Sequence, residues 1–263
     1  MTQGRGRVGP ARPSRLAKEH CASDEPEIDR LPAKPSAAGH PTLIFDCDGV
    51  LIDSEILVCR LVSEELTAHG YPISLSDVIS RFAGRPEGDM IAEIEAERSS
   101  PLPDAFLPQM RSRIVRCYET ELQAVPGVLD VLRSLRAPIC VASSSAPNKL
   151  RMGLEATGLL SCFGENIVSA ASVTRGKPAP DVFLYAAGWM RAEIQDCVVV
   201  EDSVPGVTAA RAAGIRTFGF VGGGHCSPDL RTKLRVAGAE TVIGDMRDLE
   251  RLLPGVLGEP MAA

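Results

Sequence analysis

The stretch Thr42-Leu43-Ile44-Phe45-Asp46-Cys47-Asp48-Gly49-Val50-Leu51-Ile52-Asp53-Ser54-Glu55 runs from four largely apolar residues into two aspartates two positions apart. A short run that is apolar on both faces predicts a strand buried in a parallel sheet, and such sheets bind ligands at the carboxyl ends of their strands. Asp46 and Asp48 then fall on the ligand side, where two ionised carboxylates repel each other and need a compensating cation. Gly49 lets the backbone turn sharply behind them. Asp53 or Ser54 can cap the helix that follows, a role assigned here to Ser54, but a cap does not require Asp46 and Asp48 as well.

Similar runs recur outward from this one: Ile139–Ala142, Asn166–Ser169, Cys197–Val200, Ile215–Phe220 and Thr241–Ile243. Between them lie helical stretches over Val128–Arg136, Asn148–Thr157, Pro180–Met190, Val207–Ala213 and Met246–Leu253. Strand alternating with helix predicts an α/β fold, a parallel Rossmann-like sheet with helices on both faces. About ninety residues separate the first two strands, far more than one crossover helix requires. Helical periodicity over Ser54–Gln123, punctuated by Gly70, Pro72, Gly84, Pro101 and Pro103, predicts an inserted all-helical cap. The expected organisation is a disordered extension over 1–40, a catalytic core over 41–54 and 124–255, a cap over 55–123, and a tail over 256–263.

A second acidic pair ends the fourth run, Val198-Val199-Val200-Glu201-Asp202-Ser203. If both strands share one parallel sheet, four carboxylates converge at one edge, and oxygen-only ligands select a hard cation such as Mg²⁺. Val141-Ala142-Ser143-Ser144-Ser145 offers hydroxyls and backbone N–H groups to phosphate oxygens before a helix. Gly176-Lys177-Pro178-Ala179-Pro180-Asp181 adds a lone cation between stiff prolines.

Composition sets the outer limits. The 263 residues carry 28 Lys+Arg against 34 Asp+Glu, a net charge of −6, with 44% hydrophobic and 4% aromatic residues. That is the balance of a globular protein, and it argues against a nucleic-acid surface, which needs cations and often stacking rings. No stretch approaches the roughly 20 apolar residues of a membrane span. The eight cysteines form no CxxC pair, so neither a zinc site nor a disulfide framework is expected, and a reducing, cytoplasmic setting follows. Whether the chain is a monomer or a homodimer is left open.

DCDGVLIDSE, VASSS, GKPAPDVF and VVVEDSVPG, in this order and at these separations, resemble the four motifs of the haloacid dehalogenase superfamily. The resemblance spans about residues 41–255 and is strongest to the branch with a helical cap after the first motif, which includes sugar-phosphate phosphatases and β-phosphoglucomutase. It implies that Asp46 is the nucleophile and that Asp48 is the general acid and base. It implies Mg²⁺ held by Asp46, the Asp48 main-chain carbonyl and Asp202, with Glu201 direct or through water, and phosphoryl oxygens bound by Ser143, Ser144 and Lys177. Asp48 favours phosphate over halide, because a departing halide needs no proton. The mutase branch carries a cap histidine ten residues after its second aspartate, where this chain has Val58.

The expected activity is therefore hydrolysis of a small phosphorylated sugar, sugar alcohol or sugar acid, with 6-phosphogluconate phosphatases most similar in look. The alternatives are a phosphomutase and a weakly catalytic phosphate-binding regulator. The loop around Gly84 and Arg85 is expected to close over the substrate. The Gly222-Gly223-Gly224-His225 run follows a strand and could border the site, but the favoured expectation is a flexible connection.

Overall fold

The computed structural model describes residues 39–83, 85 and 87–258, together with Met1. The extension expected over residues 1–40 lies, apart from Met1, Gly39 and His40, outside the described residues, as do Gly84 and residues 259–263.

Six strands form one parallel sheet: β1 (Thr42–Phe45), β2 (Ile139–Ser143), β3 (Ile167–Ser169), β4 (Cys197–Glu201), β5 (Arg216–Phe220) and β6 (Thr241–Ile243), in the order β3-β2-β1-β4-β5-β6. Alternation sends successive residues to opposite faces. Leu43, Phe45, Val141, Val198, Val200, Phe218 and Phe220 pack one apolar layer, and Ile44, Cys140, Ala142, Cys197 and Val199 pack the other. Both layers are buried, which is why these strands read as continuous apolar runs rather than alternating ones.

From β1 the sheet grows through β2 to β3 on one side, and after the chain crosses back it grows from β4 through β5 to β6 on the other, so the carboxyl ends of β1 and β4 flank the switch point of the sheet order. Register brings Phe45 opposite Val200, and the Asp46 N–H donates to the Val200 carbonyl at 3.0 Å. The two acidic pairs predicted at strand ends are thereby set side by side.

Between β1 and β2 the chain forms four helices: α1 (Ser54–Ala68), α2 (Leu75–Phe82), α3 (Glu87–Arg98) and α4 (Phe106–Thr120). They enclose an apolar cluster of their own, with Cys59, Val62 and Leu66 from α1, Val78 and Phe82 from α2, Met90 and Ile94 from α3, and Phe106 and Met110 from α4. Full burial of each large side chain in it contributes about 1.5–3 kcal/mol. Entry and exit run alongside each other: Asp53 N–H donates to the Gln123 carbonyl and Val125 N–H to the Leu51 carbonyl, both at 2.9 Å.

The remaining helices are α5 (Val128–Ser134), α6 (Pro147–Ala156), α7 (Leu160–Phe163), α8 (Asp181–Trp189), α9 (Val204–Ala212), α10 (Leu230–Ala237) and α11 (Leu249–Leu252). α7 and α10 have no counterpart among the expected helices. The stretch expected to form one helix from Met246 begins as a 3-10 turn at Met246–Asp248 and becomes α-helical only over Leu249–Leu252. Val256 is fully buried and Leu257 bridges Leu135, so packing on the core continues past residue 255, where a tail was expected. No helix among the described residues is long and apolar enough to cross a membrane.

Candidate active site

At the switch point a cavity of about 520 Å³ opens over the carboxyl ends of β1, β2 and β4. Asp46, Asp48, Ser143, Ser144, Lys177, Glu201 and Asp202, the residues singled out from four separate motifs, all line it.

Asp46 directly follows β1 with 7% of its surface exposed. Lys177 Nζ donates to Asp46 Oδ1 at 2.5 Å, to Glu201 Oε1 at 2.6 Å and to the Ala142 carbonyl at 3.1 Å. Those three bonds use all three ammonium protons. Burial alone would lower the lysine pKa, but Asp46 and Glu201 outweigh it and drive it upward, so the lysine is fixed as a cation. Glu201 is fixed in turn: its Oε2 accepts from Ser203 N at 2.8 Å and from Ser203 Oγ at 2.9 Å.

Burial pushes the Asp46 carboxyl well up. Lys177 opposes that, while Glu201, Asp202 and Asp48 add to it. Asp202 is likewise pushed up by burial, against its pairing with His225. Two buried acids thus stand among like charges with one lysine and one imidazole to offset them.

Asp48 is held from several sides. Its Oδ1 accepts from Ser54 Oγ at 2.6 Å and its Oδ2 from Ser145 Oγ at 2.6 Å, while Tyr118 Oη of α4 stands 3.4 Å from Oδ1. Lys149 Nζ of α6 also lies 3.4 Å from Oδ1. Burial would raise the pKa of Asp48, but Lys149, Ser145 and Ser54 overcome it and hold the carboxyl below its ordinary range. Ser54 therefore serves the carboxylate and not the helix end: it is the first residue of α1, and the N-cap position falls to Asp53, which makes no side-chain cap bond. Cys47, between the two aspartates, is fully buried, and burial drives its thiol well up, so it is inert.

Gly49 adopts φ +83°, in the left-handed region, and a Cβ there would lie 2.0 Å from Asp202 Oδ2. The turn after β1 thus allows Asp202 to approach the backbone closely. Among the described residues no three His, Cys, Asp or Glu side chains form a ready metal cage. Mg²⁺ needs none: one or two carboxylates, waters and substrate phosphate oxygens complete its shell. Asp46 and Asp202 fit that pattern, being oxygen donors pushed towards protonation by burial and, further, by neighbouring acids, which a hard dication would relieve. Glu201 does not fit as a direct ligand, because its oxygens are engaged by Lys177 and Ser203.

Two expectations change. His225 does not sit in a flexible connection: it is 8% exposed, lines the cavity, and places Nε2 3.0 Å from Asp202 Oδ2. Burial works against its charge, yet Asp202 pushes its pKa up to about 11. The loop carrying it is tied down by the Gly224 N–H donating to Asp53 Oδ1 at 2.9 Å. Arg85 does not face the cavity. It donates to the Arg81 carbonyl and pairs with Glu93 at 2.8 Å, while Ile79, Ser80 and Ala83 supply that wall. Gly84 lies outside the described residues.

Ser145, Tyr118, Lys149 and His225 were not assigned to the site from sequence. Ser145 belongs to the serine run read as a phosphate site, yet its hydroxyl donates to Asp48, and His225 belongs to the glycine run, which carries no catalytic role in the sequence reading. Tyr118 is 70 residues from Asp48 and carries no local signal.

The haloacid dehalogenase-like hydrolase family model matches residues 40–214. The 6-phosphogluconate phosphatase of Escherichia coli is 28% identical over 193 residues, 73% of this chain and 87% of that protein. A phosphorylated carbohydrates phosphatase of Thermotoga maritima is 30% identical over 184 residues, 68% and 84% of the two chains. Among solved structures, a conserved haloacid dehalogenase-like protein of Agrobacterium tumefaciens is similar with a TM-score of 0.76 and 40% identity, covering 81% of this chain and 97% of that one.

Proposed function

The chain belongs to the haloacid dehalogenase-like hydrolase family, and from that premise we propose that it is a Mg²⁺-dependent phosphatase. Its substrate is a small phosphate monoester of a sugar, sugar alcohol or sugar acid, hydrolysed through an aspartyl phosphate on Asp46. The observation that carries this reading is the fixed triad of Asp46, Lys177 and Glu201 beside Asp48 at one sheet edge.

Asp46, Asp202 and the main-chain carbonyl of Asp48 would hold Mg²⁺, which when bound supplies positive charge to the phosphoryl oxygens. Lys177 fixes the position of Asp46, and Glu201 serves the site by fixing Lys177. Ser143 and Ser144 border the phosphoryl position at the end of β2. An Asp46 oxygen attacks phosphorus, and the ester bond breaks as Asp48 gives its proton to the leaving oxygen. The approaching phosphate dianion raises the proton affinity of Asp48, which its hydroxyl and lysine contacts otherwise keep low. Asp48 then takes a proton from water, whose oxygen attacks phosphorus and breaks the bond to Asp46. Inorganic phosphate leaves and both carboxyl groups are restored.

The helices between β1 and β2 act as the cap, closing over the leaving half of the substrate through Ile79, Ser80 and Ala83. Val58, where a mutase carries histidine, packs against apolar clusters and offers no proton-transfer group. Phosphate release from an aryl phosphate and a panel of sugar, sugar-alcohol and sugar-acid phosphates, with and without Mg²⁺, tests the reading. Asp46→Asn is expected to be inactive throughout. Release that survives this replacement overturns the nucleophile assignment, and isomer interconversion without phosphate release overturns hydrolysis.

A further inference from the structure

The cavity is far larger than a phosphate group, and its outer walls carry charges that phosphoryl transfer leaves unused. Three lysines line it. Lys177 has spent its protons on Asp46, Glu201 and Ala142. Lys233, on α10, pairs with Asp229 at 2.7 Å. Lys149 differs from both. Its Nζ lies 3.4 Å from Asp48 Oδ1, but each Asp48 oxygen already accepts a 2.6 Å bond from a serine hydroxyl. Tyr118 lies beside it, with the ring centroid 5.3 Å from Nζ and the hydroxyl within its reach, Glu55 adds a second carboxylate nearby, and the lysine side chain is 41% exposed.

An ammonium has three donors, and Asp48 and the Tyr118 hydroxyl engage at most two of them, so this half-exposed group keeps one for the cavity side. Its place is also specific. Asp48 serves the ester oxygen at hydrogen-bond distance, about 2.7 Å, so Nζ stands within about 6 Å of that oxygen. That span matches a short carbon chain beyond the ester bond. Glu55 and Ser80 also line the cavity, groups suited to hydroxyls, while among the described residues no Phe, Tyr or Trp lines it and the His225 ring is paired with Asp202, so no broad aromatic face is offered to a base or a flavin ring.

We propose that Lys149 determines specificity by binding an anionic oxygen on the leaving half of the substrate, so that the preferred ester is a phosphorylated sugar acid whose carboxylate reaches this ammonium. This rests on the phosphatase reading and narrows its substrate class.

The test compares two esters of equal chain length, an aldonic acid 6-phosphate and the corresponding alditol 6-phosphate, with an aryl phosphate alongside. The wild type is expected to favour the acid in kcat/KM by about 10- to 100-fold, the range of a charge-assisted contact. Lys149→Met is expected to bring the acid-to-alditol ratio to about one, and Lys149→Arg to retain the preference. A wild type indifferent to the carboxylate, or a Lys149→Met that loses activity equally on all three esters, would overturn the proposal, the second because it places the lysine in the service of Asp48 alone. Failure of the underlying reading looks different: aryl phosphate hydrolysis would then be absent or insensitive to Asp46→Asn.

Discussion

Lys177 and Asp46 stand 131 residues apart in the chain and 2.5 Å apart in the fold, with Glu201 closing the clamp at 2.6 Å from the same ammonium. Lys177 is 5% exposed along its side chain, so the pair has little solvent to fall back on. Replacing Lys177 with Met leaves Asp46 and Glu201 facing each other with no charge between them. The expected cost is about 3–5 kcal/mol of stability, the range for breaking a buried pair from one side. Phosphatase turnover should also fall by at least about 10²-fold, as for loss of one preorganised electrostatic group. Urea denaturation and steady-state kinetics on one preparation read both effects.

Ser145 and Asp48 give a pH signature. Asp48 titrates below its unfolded value in part because Ser145 Oγ donates to it at 2.6 Å. A depressed carboxyl contributes stability above its unfolded pKa of about 3.9 and loses it as pH falls through the folded pKa. Ser145→Ala should therefore cost about 1.5–3 kcal/mol near pH 7, the range for a hydrogen bond to a charged group. The difference from wild type should close as both proteins are acidified below about pH 3.9. Denaturation curves at the two ends of that range measure it; a gap that stays constant with pH would contradict the linkage.

The sheet was readable from sequence because a strand buried on both faces is a local property. All six strands lie within a residue or so of the apolar runs at Thr42, Ile139, Asn166, Cys197, Ile215 and Thr241. Strand-end logic then placed Asp46, Ser143, Lys177 and Glu201 near one another without any contact being known. The partners of Asp48 were not readable, since Tyr118 and Lys149 reach it from helices whose angles the sequence does not state. His225 was misread for a different reason. A glycine run signals freedom in the unfolded chain, yet here Gly224 is pinned by Asp53 and the histidine is delivered to Asp202. Helix α10 escaped notice because only Leu234 of its residues is buried, leaving a thin apolar stripe.

Gly49 couples the first acidic motif to the second. Its φ of +83° disfavours any side chain, and a Cβ would lie 2.0 Å from Asp202 Oδ2 and 2.7 Å from His225 Cε1. Gly49→Ala should cost about 1–2 kcal/mol from the left-handed backbone alone. It should also displace Asp202, so that divalent-metal affinity measured calorimetrically with Mg²⁺ falls together with activity. An alanine variant that binds Mg²⁺ as wild type does would show that Asp202 need not approach this turn.

Gly206 touches no reacting group, yet the clamp depends on it. It lies in the first turn of α9, where its N–H donates to Ser203 Oγ at 3.0 Å, and a Cβ there would sit 1.7 Å from Glu201 Oε1. Oε1 is the atom that holds Lys177, so a single methyl group must either push Glu201 off the lysine or lift the helix from β4. Both outcomes loosen Asp46, since the lysine that fixes it has lost its second anchor. Gly206→Ala is therefore expected to lower kcat by about 10-fold or more, within the range that a misplacement of about 1 Å in a catalytic constellation can cost. Its KM should change less than its kcat, because Gly206 does not line the cavity. Steady-state kinetics beside a thermal melt separate this from unfolding: a variant that melts as wild type does and keeps full turnover would mean that Glu201 does not need its place for Lys177 to work.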